Sequence, residues 1–317
     1  MAVEYRDGLI SGCHICQNIS LLQLCSRCRA VQYCSNEHQI RDFQSHKTRC
    51  KAIKCSLDEL NSAQQRIRSY PGDDYWSGRV AGPRLDCMRK RLALVDALGL
   101  IKTRDSVHTQ LHHLQGNIRL GSTSEGERVP FLLLRLDEDQ DAYDFIKWWT
   151  ARTAQPDERY LDVQDADAFE APDFLLKEES FSPSALSATL LIKIKMLQDL
   201  EALEASIALI GPKVPQEILD NIQVNVLRSP IIRSRILLSR TSSNGGETMR
   251  NAVEELQSQI HRISVFISDI DWIPADAREW AKRIWTLMPD TYDAWIEVPG
   301  SIETFKRLMG KDAEGRL

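Results

Sequence analysis

The sequence predicts a mostly α-helical protein in which a small metal-stapled finger precedes an all-α domain of helical hairpins. Three observations lead there. Cysteines and histidines are crowded in pairs between Cys13 and Cys50. From about residue 57 onward the apolar residues recur at steps of three and four, the helical period. No convincing alternating apolar/polar run, the mark of a half-buried strand, follows the finger.

The pairs are Cys13-x2-Cys16, Cys25-x2-Cys28, Cys34-x3-His38 and His46-x3-Cys50. A Cys-x2-Cys pair turns tightly enough for both sulfurs to reach one ion, and an i, i+4 pair places two ligands on one helical face. Four pairs complete two tetrahedral sites of mixed thiolate and imidazole, the chemistry of structural zinc with no open coordination position. Six of the eight cysteines lie here, interspersed with histidines, which is a zinc pattern rather than a disulfide framework. Spacing alone allows either sequential or interleaved pairing of the four pairs.

The second half of this segment, Tyr33-Cys34-Ser35-Asn36-Glu37-His38-Gln39 followed by Phe43, His46, Lys47 and Cys50, resembles the MYND-type zinc finger. The resemblance implies interleaved ligation: Cys13, Cys16, Cys34 and His38 for one zinc, Cys25, Cys28, His46 and Cys50 for the other. His38 stands where most members have Cys, a change expected to turn a Cys3His site into Cys2His2. Phe43 stands where most have Trp. The resemblance also implies a protein partner, a short proline-containing peptide docking beside Gln39 and Phe43. The helical remainder resembles the region after the finger in a group of fungal MYND-finger proteins, through Leu133–Trp149, 160–163 and 214–222, and brings no catalytic residues with it.

The expected division is a finger at 10–54, an exit helix and linker at 55–79, and an all-α domain at 80–317. Pro71-Gly72-Asp73-Asp74 is a breaker. It predicts a finger that unfolds separately when its metal is chelated. Leu85, Met88, Leu92, Val95 and Leu98 give the first long helical stripe. Thr103 is the N-cap of a second helix holding Val107, Leu111 and Leu114. Residues 129–136 and 139–150 form a further pair, offset by 36 from the first, which suggests tetratricopeptide-like packing. An irregular Asp- and Pro-rich connection follows at 153–183. Helices are predicted at 184–209, through Leu190, Leu197, Leu200, Leu203 and Ile207, and at 215–226. Ser242–Gly246 reads as a loop. Met249, Val253, Leu256, Ile260, Ile263 and Ile267 form a short coiled-coil-like seam, read as an intramolecular helix pair. Trp280, Trp285, Trp295, Phe305 and Leu308 mark the closing helices.

The net charge of −5 argues against a nucleic-acid binder at the level of the whole chain. Residues 1–60 carry eight Lys/Arg against six Asp/Glu, and Arg27, Arg29, Arg41, Lys47, Arg49, Lys51 and Lys54 could form a basic face. A nucleic-acid-associated regulator is therefore the alternative to a protein-docking module. Reduced thiolates, no secretory leader and no long apolar run predict an intracellular protein, in cytoplasm or nucleus.

No catalytic residue is predicted. No Asn-His-Ser motif is present and no cysteine lies beyond Cys87, so the features of SET-domain methyltransferases are missing. His108-Thr-Gln-Leu-His112 spaces two imidazoles like a zinc protease but has Thr109 where the general base belongs. Asp137, Asp139 and Asp141 begin like a calcium loop that Ala142 and Trp148 then break, so they read as acids at a helix N-terminus. Asp162, Asp165 and Asp167 read as solvated loop acids. Of Trp148 and Trp149, at least one ring should pack in the core.

Overall fold

The computed structural model describes residues 8–70, 78–122, 125–154, 163–177, 182–210, 227–233, 245–268 and 289–314. The chain forms two compact units, Met1–Leu132 and Leu133–Leu317. These do not coincide with the expected boundaries at 54 and 79. The breaker at 71–74, the helix expected at 215–226, most of the loop at 242–246, and Trp280 and Trp285 lie outside the described residues.

The first unit begins with the finger, whose two-residue strands β1 (Gln23–Leu24) and β2 (Gln32–Tyr33) pair antiparallel. Helix α1 (Asn36–Arg68) follows immediately and runs without interruption for 33 residues, about 50 Å. Ser35 caps its N-terminus by accepting from His38 N at 3.3 Å. Its buried positions include His46, Cys50, Ile53, Leu60 and Ala63, so one face carries metal ligands first and apolar side chains next. That face packs on α2 (Gly78–Gly99). A single buried cluster joins Cys13, Cys25, Cys28, Val31 and Cys50 of the finger to Ile53, Leu60, Cys87, Leu94, Leu98 and Ile101. The buried cluster of the finger thus continues without a break into that of the helices behind it.

The stripe expected for α2 is rotated in its first half. Leu85 is exposed, while Val80, Cys87, Leu94, Val95 and Leu98 are buried. Thr103 does cap α3 (Arg104–Arg119), accepting from Ser106 N at 3.2 Å, and Val107, Leu111 and Leu114 are buried beneath it. The first helix of the second expected pair, α4 (Val129–Arg135), has only seven residues, too short for a full repeat helix.

In the second unit, α5 (Asp139–Ala154), α7 (Gly245–Ser268), α8 (Pro289–Glu297) and α9 (Ser301–Glu314) all pack against α6 (Pro183–Ile210). Helix α6 is buried on every side from Ser184 to Leu197. The seam on α7 is intramolecular: Leu256, Ile260 and Ile263 are buried and α7 lies on α6. Trp149 is buried and Trp148 half-buried. Trp295 is buried too, its Nε1 donating to Ser187 Oγ at 3.1 Å.

Burying α6 on all sides also buries its charges. Lys193 Nζ donates to the carbonyls of Ala168 (2.8 Å) and Glu170 (2.9 Å). Burial lowers its pKa to about 8. Lys195 Nζ lies 2.5 Å from Asp139 Oδ1. Asp199 accepts from the backbone N–H of Arg228 (2.9 Å) and Ser229 (2.6 Å). Lys193, Lys195 and Asp199 thus each have a polar partner at close range, as burial of a charge in a low-dielectric interior demands.

Candidate metal centre

Two clusters of potential ligands form in the finger. One holds Cys13, Cys16, Cys34 and His38, the other Cys25, Cys28, His46 and Cys50, with the ligand atoms of each within 4.8 Å of one another. In the first, Cys13 Sγ lies 3.4 Å and Cys34 Sγ 3.2 Å from His38 Nδ1, and Cys16 and Cys34 sulfurs are 3.5 Å apart. In the second, Cys25 and Cys50 sulfurs are 3.8 Å apart, and Cys28 Sγ is 3.4 Å from His46 Nε2. Tetrahedral zinc with bonds of about 2.0–2.3 Å has ligand–ligand edges of roughly 3.3–3.8 Å. The donors are spaced as edges of such tetrahedra, so the residues present fit zinc. Each set is Cys3His, correcting the Cys2His2 expected from the exchange at position 38.

Local backbone geometry explains the knuckles. Gln17 N closes on Cys13 O at 2.7 Å and Arg29 N on Cys25 O at 2.9 Å. The residue after each second cysteine, Gln17 (φ 59) and Arg29 (φ 55), sits in the left-handed region, which costs a non-glycine residue about 1–2 kcal/mol. Metal binding offsets that cost. Burial works against ionisation of Cys13, but backbone N–H groups of Cys16, Cys34 and Ile15 bring its pKa down to about 6. In the other cluster burial, reinforced by the neighbouring charges of Cys25 and Cys50, pushes Cys28 up to about 12. Three thiolates pressed together call for a cation among them.

Sequence reasoning missed Asp42. It is buried on the ligand face of α1, one turn before His46. Tyr33 Oη donates to it at 2.7 Å, His14 Nδ1 lies 2.9 Å away, and Ser45 Oγ also donates. Burial alone would raise the Asp42 pKa, but the hydrogen bonds from His14, Ser45 and Tyr33 outweigh it and hold the carboxyl at about 2. Asp42 thus ties the first knuckle, the hairpin and α1 together. The signal available was an acid standing in the 42–46–50–53 stripe of ligands and apolar residues.

Gln39 and Phe43 lie one turn apart on α1, Gln39 half-buried and Phe43 half-exposed, with Lys47 Nζ 5.5 Å from the Phe43 ring. Arg27, Arg29, Arg41, Lys47, Arg49 and Lys51 are exposed, and Lys54 pairs with Asp58 at 2.6 Å. His108 and His112 are exposed on α3. Asp139 and Asp141 open α5, as expected of helix N-terminal acids, but Asp139 is also the buried partner of Lys195. Asp165 and Asp167 are exposed; Asp162 lies outside the described residues.

Two interleaved Cys3His clusters around a short hairpin and a helix define a cross-braced structural zinc finger. Residues 13–50 match the family described as the MYND finger, and this segment of the chain is a MYND finger. Fingers of this family are in general non-catalytic protein-interaction modules. The chain is similar to SET domain-containing protein 14 of Caenorhabditis elegans, 37% identical over 68 residues, covering 21% of this chain and 16% of that protein. It is also similar to Egl nine homolog 1 of Mus musculus, 35% identical over 60 residues, covering 19% of this chain and 15% of that protein. The chain thus spans only about a sixth of the length of these relatives. No solved structure matches. No helix among the described residues is long and apolar enough to cross a membrane.

Replacing His38 with Ala leaves the first cluster three thiols and the second intact. We expect two zinc ions in the parent, and in this variant one ion surrendered to a mild chelator well before the other. Unchanged retention of both ions would remove His38 from the ligand set.

Proposed function

We propose that this chain is a protein-interaction module whose finger docks a short, proline-containing segment of a partner beside Gln39 and Phe43, and that it performs no catalysis. The observation that carries the reading is exposed apolar surface on a module otherwise occupied by metal ligands. Ile40 is 74% exposed and Phe43 50%, and both residues of strand β1 are exposed. A partner strand added along β1 would gain backbone hydrogen bonds while its side chains reach α1. With phenylalanine at 43 the platform keeps an aromatic face but has no indole N–H to donate. Apolar and stacking contact would therefore supply most of the affinity.

A second reading, in which the finger only caps the helices behind it, is favoured by a specific contact. Thr103 Oγ1 donates to Ala30 O of the finger, and Ile10 N donates to Lys102 O at 3.1 Å. Screening the intact chain against an array of proline-containing peptides separates the two readings. Docking requires that Phe43→Ala weaken the best binders about tenfold while the chain keeps two zinc ions. Full retention of binding by that variant would refute the docking site, and an array with no binder at all would favour the cap.

A further inference from the structure

The opposite side of α1 carries a feature that the peptide site beside Phe43 does not use. A cleft of about 990 Å³ opens between the α1 face bearing Arg41, Ser45 and Arg49 and the segments 8–11 and 100–102. Its apolar wall is made by Ile10, Ile15 and Leu100, the last 58% exposed. Lys102 and His14 also line it. Among its described lining residues Asp42 is the one acid, and the oxygens of that carboxyl are already engaged by His14, Tyr33 and Ser45. Arg41 and Arg49 are exposed and, among the described residues, pair with no carboxylate. In a chain of net charge −5, the described lining of this cleft sets two exposed arginines and Lys102 against a single acid.

The spacing narrows the ligand. Positions 41, 45 and 49 form one stripe of α1, so the two arginines stand about 12 Å apart along the axis. An extended peptide advances about 3.3–3.6 Å per residue and presents residues i, i+2 and i+4 on one face. Two carboxylates four residues apart would span about 13–14 Å and could meet the two guanidiniums. The side chains at i+1 and i+3 point the opposite way and would face the wall of Ile10, Ile15 and Leu100, across the cleft from the arginines. Guanidinium forks suit carboxylates in bidentate contact.

We propose that this cleft is a second docking site, for an extended peptide segment carrying two carboxylates four residues apart with apolar side chains at the alternate positions i+1 and i+3 between them. It is independent of the site beside Gln39 and Phe43, which points the other way from α1. The occupant is a peptide rather than nucleic acid because the arginines flank a recessed, largely apolar cleft, not an open phosphate-tracking surface.

Fluorescence polarisation on the full zinc-loaded chain tests this with a labelled peptide of core Glu-Leu-Ser-Leu-Glu and its Gln-Leu-Ser-Leu-Gln counterpart. The acidic peptide should bind about tenfold more tightly than the amide peptide. Arg41→Gln/Arg49→Gln should erase that preference, and Phe43→Ala should leave it intact. Because Arg41 and Arg49 flank zinc ligands, Leu100→Asp provides a second arm: it sets an acid on the exposed far wall and should weaken the acidic peptide about tenfold with both zinc ions retained. Equal binding of the two peptides, or no saturable binding of either, would overturn the proposal. So would loss through Phe43→Ala alone, or displacement by a short oligonucleotide more effective than the acidic peptide.

Discussion

Chelating zinc from the intact chain should unfold the whole first unit, not the finger alone. The ligands Cys13, Cys25, Cys28 and Cys50 belong to the same buried cluster as Ile53, Leu60, Leu94 and Leu98. Cys50 and Ile53 are neighbours on one face of an unbroken helix. Structural zinc supplies on the order of 10 kcal/mol or more of folding free energy, comparable with the net stability of about 5–15 kcal/mol of a typical domain. Removing it leaves clustered thiols without a cation, and the two left-handed residues Gln17 and Arg29 lose the bonds that hold them. The expected readout is far-ultraviolet circular dichroism. The helices of this unit hold 33, 22 and 16 residues, so their joint loss greatly exceeds loss of the 36–50 stretch alone. Loss of that small fraction only would show the finger to be separable. The second unit has its own core around α6 and should keep its helical signal.

Breaking the Lys195–Asp139 pair should be the costliest single substitution in the second unit. The two charges lie 2.5 Å apart, with side chains 5% and 0% exposed. Burial drives the Asp139 pKa upward, and Lys195 is the main influence holding it down. Asp139→Ala strands the ammonium of Lys195, whose next acid, Asp137, is 3.7 Å away and mostly exposed. Removing one partner of a buried pair costs about 3–5 kcal/mol, whereas replacing both with apolar residues can be nearly neutral. Urea denaturation of Asp139→Ala, Lys195→Met and the double variant Asp139→Leu/Lys195→Met measures this. Each single variant should lose several kcal/mol and the double variant markedly less than their sum. Additive losses would mean the pair is not energetically coupled.

The finger was legible because metal ligation is written in residue type and short spacing, and both are properties of the chain itself. Cys13 through Cys50 identify themselves, and Thr103 as a helix cap does so for the same reason: the cap is a local hydrogen bond. The partition of the eight ligands was not legible from spacing. It depends on how the knuckles fold across β1, β2 and α1, and the structure joins 13/16 to 34/38 and 25/28 to 46/50. Helical periodicity located most helices, but the buried face of α2 is the one that meets α1, so Leu85 lies outside and Cys87 inside. Asp42 goes unremarked in the sequence, and Asp139 reads there only as an acid at a helix N-terminus. Asp42 is buried because Tyr33, His14 and Ser45 converge on it, and Asp139 because Lys195 reaches it from 56 residues further along the chain. Residue types and their local spacing thus determined the metal chemistry and the helices. Which faces meet, and which charges are drawn inside, was decided only by the packing of segments far apart in sequence, because burial and charge pairing exist only once those segments are in contact.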